Sequence, residues 1–145
     1  MGLDDALKRF YYRTMLEELR AMNGSRLLPG ISYNSLLYLD IIDMTPDCTV
    51  SRLAELLHVS KSAVTIKVKE LLKQGLIEKQ GSPEDRRVSF LRINPAIAGE
   101  FRSYDKAMDR AMRAVKKMFT AEDIGTFCDI LDLFSRSYLG GDGSE

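Results

Sequence analysis

The residues whose types and spacing could do chemistry fall in one stretch of this chain. Ser62, Thr65, Ile66, Lys69 and Lys73 recur at helical spacing, so a helix would gather them on one side. Val64, Val68, Leu71 and Gly75 fall on the other. Hydroxyls and ammonium groups donate hydrogen bonds, and an isoleucine offers an apolar contact. Together they suit phosphate oxygens and base edges. Lys61 and Ser62, at the start of the helix, suit phosphate, which a helix N-terminus attracts. Thr65, Ile66 and Lys69 suit the bases. Further on, Arg86 and Arg87 follow Asp85 in a Gly- and Pro-punctuated turn. Paired guanidinium groups there suit a phosphate backbone or a narrow minor groove. A catalytic reading finds no footing. The chain has one histidine, no Gly-rich phosphate loop and no metal-ligand spacing, so no enzyme, cofactor or metal is expected.

Local signals say which elements would position these residues. Ser60 suits an N-cap, and Gly75 suits the left-handed residue that ends a helix, with Leu76 folding back onto Leu71. A short amphipathic helix should precede, capped by Thr49, with Leu53, Ala54, Leu56 and Leu57 as its apolar face. His58, Val59 and Ser60 then form a tight connection in which His58 must tolerate positive φ. Two helices so joined make a helix-turn-helix, whose second helix enters the DNA major groove. Leu76–Gln80 and Val88–Ile93 read as two strands around the charged turn, a wing directly after the reading helix.

These residues carry a family resemblance. The stretches LAELLHVSKSAVT, KELLKQGLIEK and SPEDRRVSFLRI resemble the MarR family of winged-helix transcriptional regulators. Asp85 and Arg87 match the family's wing signature. Asp85 is expected to orient Arg87 through a bidentate pair, since a carboxylate facing phosphate would be repelled. Ile66 stands where relatives often carry a basic or polar contact, Lys79 replaces a usual arginine, and Ile93-Asn94 replaces Leu-Thr. The resemblance implies a mainly α fold with a small β-hairpin wing: a winged helix-turn-helix core flanked by N- and C-terminal dimerisation helices. It also implies a dimeric repressor of a pseudo-palindromic operator, released by a small-molecule effector. The rival readings are a winged-helix protein-interaction module and a redox-sensing regulator using Cys48, which precedes a helix start that can acidify a thiol.

The rest of the chain agrees with one domain over residues 1–145, with 32–94 as the DNA-binding lobe and 1–31 and 95–139 as dimerisation helices. A long helix from Asp4 to about Met22 carries two apolar stripes, one through Leu7, Tyr11 and Met15, the other through Tyr12, Leu16 and Leu19. Ser32 caps the next helix. Asn94-Pro95 opens another, with Ile97, Phe101, Tyr104, Met108, Ala111, Val115 and Met118 as a seam. Thr120 and Asp123 form a capping box for the last helix, whose seam is Ile124, Phe127, Leu131, Phe134 and Tyr138. Leu7, Tyr11, Phe127, Leu131, Phe134 and Tyr138 are the expected dimer contacts, and 140–145 an expected disordered tail. Cys128 reads as core. Tyr11, Tyr12, Tyr33 and Tyr38 suit either an effector pocket or the core. Net charge is +0, but residues 60–92 hold eight Lys/Arg against four Asp/Glu. With 45% hydrophobic residues, no membrane-length apolar run and no signal-like N-terminus, a cytoplasmic protein with no membrane partner is expected. The expected partners are double-stranded DNA, a second copy of the chain and a small-molecule effector.

Overall fold

The computed structural model describes residues 2–24 and 28–139. The side chains at positions 100, 101, 103, 104 and 139 lie outside the description, among them the seam residues Phe101 and Tyr104, as do the helix break at Ser25 and the 140–145 tail. The chain divides into two compact units, Met1–Glu100 and Phe101–Glu145. The first holds α1 (Leu3–Gly24), α2 (Tyr33–Met44), α3 (Val50–Leu57), α4 (Lys61–Lys73), β1 (Ile77–Gly81) and β2 (Ser89–Ile93). α5 (Ala98–Met118) begins in the first unit and runs into the second, which also contains α6 (Ala121–Phe134) and a closing π-helical turn, Ser135–Leu139. The mainly helical, winged-hairpin architecture read from the sequence is what forms.

Short polar side chains set the helix starts. Ser32 Oγ accepts the Ser35 N–H (3.1 Å), and Thr49 Oγ1 accepts the Arg52 N–H (3.1 Å), each satisfying an amide that the first turn leaves unpaired. α2 stops before Pro46-Asp47, where Asp47 takes φ 49°. Apolar side chains from α2, α3, α4 and both strands then close one core, with Leu39, Leu53, Val64 and Leu71 fully buried. Leu56 does not join it and is exposed. At about 100° per residue, Ala54 and Leu56 fall on opposite sides of Leu53, and only the Ala54 side faces the core.

The helix-to-wing junction has a Schellman geometry. Gly75 takes φ 71°, the Gly75 N–H reaches the Leu72 carbonyl and the Leu76 N–H reaches the Leu71 carbonyl, both at 3.0 Å. Leu76 is thereby committed to the cap, and the strands begin one residue later than expected. They pair antiparallel from Ile77↔Ile93 to Gly81↔Ser89. β2 is also tied to the residue preceding the cap of α3, because the Leu91 N–H donates to the Cys48 carbonyl at 2.7 Å.

Asn94 does not cap α5. Its Oδ1 accepts the Ala96 N–H (3.0 Å) and its carbonyl the Ile97 N–H (3.0 Å), closing a turn before the helix starts at Ala98. Ile97 is buried in the first unit, so this apolar side chain serves the core instead of the seam. In the second unit the Thr120–Asp123 capping box forms, with Asp123 N–H to Thr120 Oγ1 at 3.1 Å and Thr120 N–H to Asp123 Oδ2 at 2.9 Å. No residue of α6 is buried. Cys128, expected in the core, is therefore exposed. Phe134 stacks on Tyr138 with ring centres 5.2 Å apart. Among the described residues, no helix is long and apolar enough to cross a membrane.

α1 likewise buries none of its residues, and Tyr11, Tyr12 and Leu19 are more than half exposed. Tyr33 Oη donates to Glu18 Oε2 at 3.0 Å, linking α2 to α1. Nearby, burial and the carboxylates of Glu18 and Asp43 push the Asp40 carboxyl from 3.8 up to about 6. The folded chain thus holds this proton to a higher pH than the unfolded chain does. Its contribution to stability falls as pH rises from about 4 to about 6. Asp40→Asn is expected to flatten that part of the pH profile and raise stability at pH 7. Urea midpoints across the window check it, and an unchanged slope would refute the assignment.

Candidate nucleic-acid interface

α4 is held at both ends by left-handed residues that only some sequences permit. His58, where the chain leaves α3, takes φ 53° and ψ 42°. Histidine is among the side chains that tolerate this region better than most, which accounts for a turn made without glycine. Ser60 Oγ then accepts the Ala63 N–H at 3.1 Å. Gly75 closes the other end. Between them Val64, Val68 and Leu71 are buried, and the opposite face is fixed by exclusion. Lys61, Ser62, Ile66, Lys69 and Lys73 are exposed, and Thr65 is half-buried. The Thr65 hydroxyl donates back to the Lys61 carbonyl at 2.7 Å, a local bond that occupies its proton.

The wing tip is tied down by its own short side chains. Ser82 Oγ accepts the Glu84 and Asp85 N–H groups (3.2 and 3.3 Å), and Asp85 Oδ1 accepts the Arg87 backbone N–H (2.9 Å). The expected bidentate Asp85–Arg87 side-chain pair does not form. Two residues apart in a tight turn, the short aspartate meets the main chain before it meets the guanidinium group. Arg86 and Arg87 are left exposed. Arg87 and Lys79 line a shallow groove of about 340 Å³ together with Thr49, Val50 and Ser51 at the start of α3. Two cations beside a helix N-terminus make that groove electropositive.

Lys79 is a candidate site residue that the sequence reading noted as standing for a usual arginine but did not assign to the site. The substitution of lysine for that arginine was the signal, and the structure leaves every β1 residue after Ile77 exposed. Lys67 shows the opposite case. It belongs to the basic excess, yet its Nζ donates to Ser35 Oγ (2.7 Å), pairs with Glu70 (3.2 Å) and lies 5.9 Å from the centre of the Tyr38 ring. Ser35 is almost fully buried. Lys67 therefore seats α4 on α2, and its charge is spent inside the protein. Three residues after Val64 and one before Val68, it rides the edge of the buried face.

The environment of Cys48 does not favour the rival redox reading. Cys48 is buried, and burial pushes its thiol up, away from the reactive thiolate. The nearby helix start does not offset the loss of solvent.

Residues 31–89 match the model of the MarR family. The helix-turn-helix, its left-handed turn, β1 and the wing tip lie inside that span, which ends at the first residue of β2. Over those residues the chain is similar to the MarR family. The HTH-type transcriptional regulator YdgG of Bacillus subtilis (strain 168) is 27% identical over 109 residues, covering 74% of this chain and 72% of that protein. YdgJ of the same organism is 26% identical over 102 residues, covering 70% of this chain and 62% of YdgJ. Likeness of fold to solved structures extends beyond the matched span. FabT of Streptococcus pneumoniae, solved in complex with DNA, superposes with a TM-score of 0.67 at 23% identity, over 92% of this chain and 93% of FabT. The adhesin competence repressor AdcR of Streptococcus pyogenes gives 0.59 at 21%, over 94% and 98%.

The burial of Cys48 carries a direct expectation. In a Cys128→Ser variant, where Cys48 is the remaining thiol, an aromatic disulfide reagent should leave the native protein unlabelled and react fully in urea. Rapid labelling of the folded variant would restore the redox reading.

Proposed function

We propose that this chain is a dimeric, sequence-specific DNA-binding regulator that represses transcription from a pseudo-palindromic operator and is released by a small-molecule effector. The observation that carries the reading is the exposed polar face of α4, fixed opposite a buried one and followed by a two-arginine wing. In this reading α4 enters the major groove. Lys61 and Ser62 meet phosphate at its start, while Thr65, Ile66 and Lys69 face base edges and Lys73 reaches the far backbone. Arg86 and Arg87 meet the flanking backbone or minor groove, and Asp85 serves by shaping the turn that presents them. The electropositive groove of Lys79 and Arg87 adds a further place for phosphate. FabT, a structural relative, is known in complex with DNA, which supports the same use of this fold.

Dimerisation is the economical use of the helices the reading head does not need. The head is assigned to residues 32–94, and the dimer contacts to 1–31 and 95–139 around Leu7, Tyr11, Phe127, Leu131, Phe134 and Tyr138. Phe127 and Tyr138 are more than half exposed in the single chain, and an exposed apolar face of that size favours a partner. Two-fold pairing would set two α4 helices about one DNA turn apart, roughly 34–36 Å. An effector that prefers another spacing would lower operator affinity by its differential affinity for the two states.

Two outcomes test this. Arg87→Ala should weaken binding to a duplex selected from random sequence and lower the slope of log affinity against log salt by about one, as the loss of one phosphate contact requires. Fluorescence anisotropy at several salt concentrations measures both, and unchanged binding would remove the wing from the mechanism. Leu131→Glu should convert the dimer to a monomer in sedimentation velocity while circular dichroism reports retained helix. A wild-type-like dimer carrying that change would overturn the interface.

A further inference from the structure

We infer that Ile66 reads a thymine, covering its C5 methyl group in each half-site of the DNA. The inference rests on the DNA reading proposed above and names the base that reading leaves open. Ile66 is 71% exposed, although Val64 and Val68 on either side of it are buried. A β-branched residue in the exposed middle of a helix adds nothing to helix stability. Its side chain gains free energy only by leaving water for an apolar surface. Its exposed neighbours along the helix are Ser62, Ala63, Lys69 and Glu70, with Lys73 one turn further on. An isoleucine and an alanine among hydroxyl and charged groups do not make a hydrophobic docking patch. They match a surface that is anionic overall and apolar at isolated points.

The DNA major groove is such a surface, and its apolar feature is the C5 methyl of thymine. Guanine and adenine offer hydrogen-bonding edges, and cytosine carries an amino group and no methyl. Isoleucine has no donor or acceptor to answer any of them. Thr65 cannot take over as a donor, since its proton is already given to the Lys61 carbonyl. Among the residues assigned to the bases, hydrogen-bond donation then falls to Lys69, leaving Ile66 to discriminate by apolar contact alone.

The test begins with duplexes selected by the full chain from a random pool. Each conserved thymine is replaced in turn by uracil, which removes the methyl group and keeps every hydrogen-bonding position. Anisotropy titrations compare wild type with Ile66→Ala, a surface change to a better helix former whose fold is checked by circular dichroism. At one thymine per half-site, uracil should weaken wild-type binding about four-fold, the scale of burying one methylene-sized group. The same replacement should leave Ile66→Ala unaffected. Selected sites without a conserved thymine, wild-type indifference to uracil, or an equal loss in the variant would each overturn the assignment. Tight binding to the unmodified duplex with any of those results refutes Ile66 alone. Failure to enrich or bind any duplex refutes the DNA reading and this inference together.

Discussion

The burial of Val64, Val68 and Leu71 is the constraint on which the rest of the reading head depends. A helix has one period, so sealing those three side chains among α2, α3 and the strands decides which residues are left outside. Lys61, Ser62, Ile66, Lys69 and Lys73 are presented to solvent because the core has no use for their side of the helix. The hydrophobic effect does the orienting. The polar chemistry of the outer face costs the fold little, which frees those positions to answer to a partner.

Two backbone devices turn that orientation into a defined placement. His58 and Gly75 bend the chain through left-handed conformations at either end of α4, and Ser60 and Leu76 complete the caps. The Lys67 ammonium then joins α4 to α2 through Ser35. A charge held on a buried hydroxyl is stable only while its partners stay in reach, so this contact resists sliding of one helix along the other. The cations of the segment are thereby sorted. One is internal and positional, and the others face out. Overall neutrality, +0 for the whole chain, conceals this local division.

Features encoded within a few residues were legible in the sequence. The caps at Ser32, Thr49, Ser60 and Thr120, the glycine at 75 and the strained histidine at 58 depend on neighbours one to five positions away, and each forms as read. Features settled by tertiary contact were not. Periodicity alone puts Leu56 with Leu53, but the core faces only one side of that pair. Proximity to a helix start suggested an acidified Cys48, but burial acts more strongly in the other direction. Charge counting included Lys67 in the basic excess of residues 60–92, although a buried serine 32 residues away claims it. The outer face of α4 was readable because it is the complement of a local apolar pattern. The use of Asp85 on a backbone amide was hidden, because an aspartate two residues before an arginine signals an Asx turn and an ion pair equally well.

The self-tied wing tip has a kinetic meaning. Ser82 and Asp85 fix the backbone around Arg86 and Arg87 before anything is bound. A loop already in its working shape loses little conformational freedom on contact, so less of the interaction is consumed in ordering it. Its two arginine side chains stand exposed on that fixed base. Charges displayed this way act while a partner is still approaching, by steering it, and thus favour fast capture over slow release.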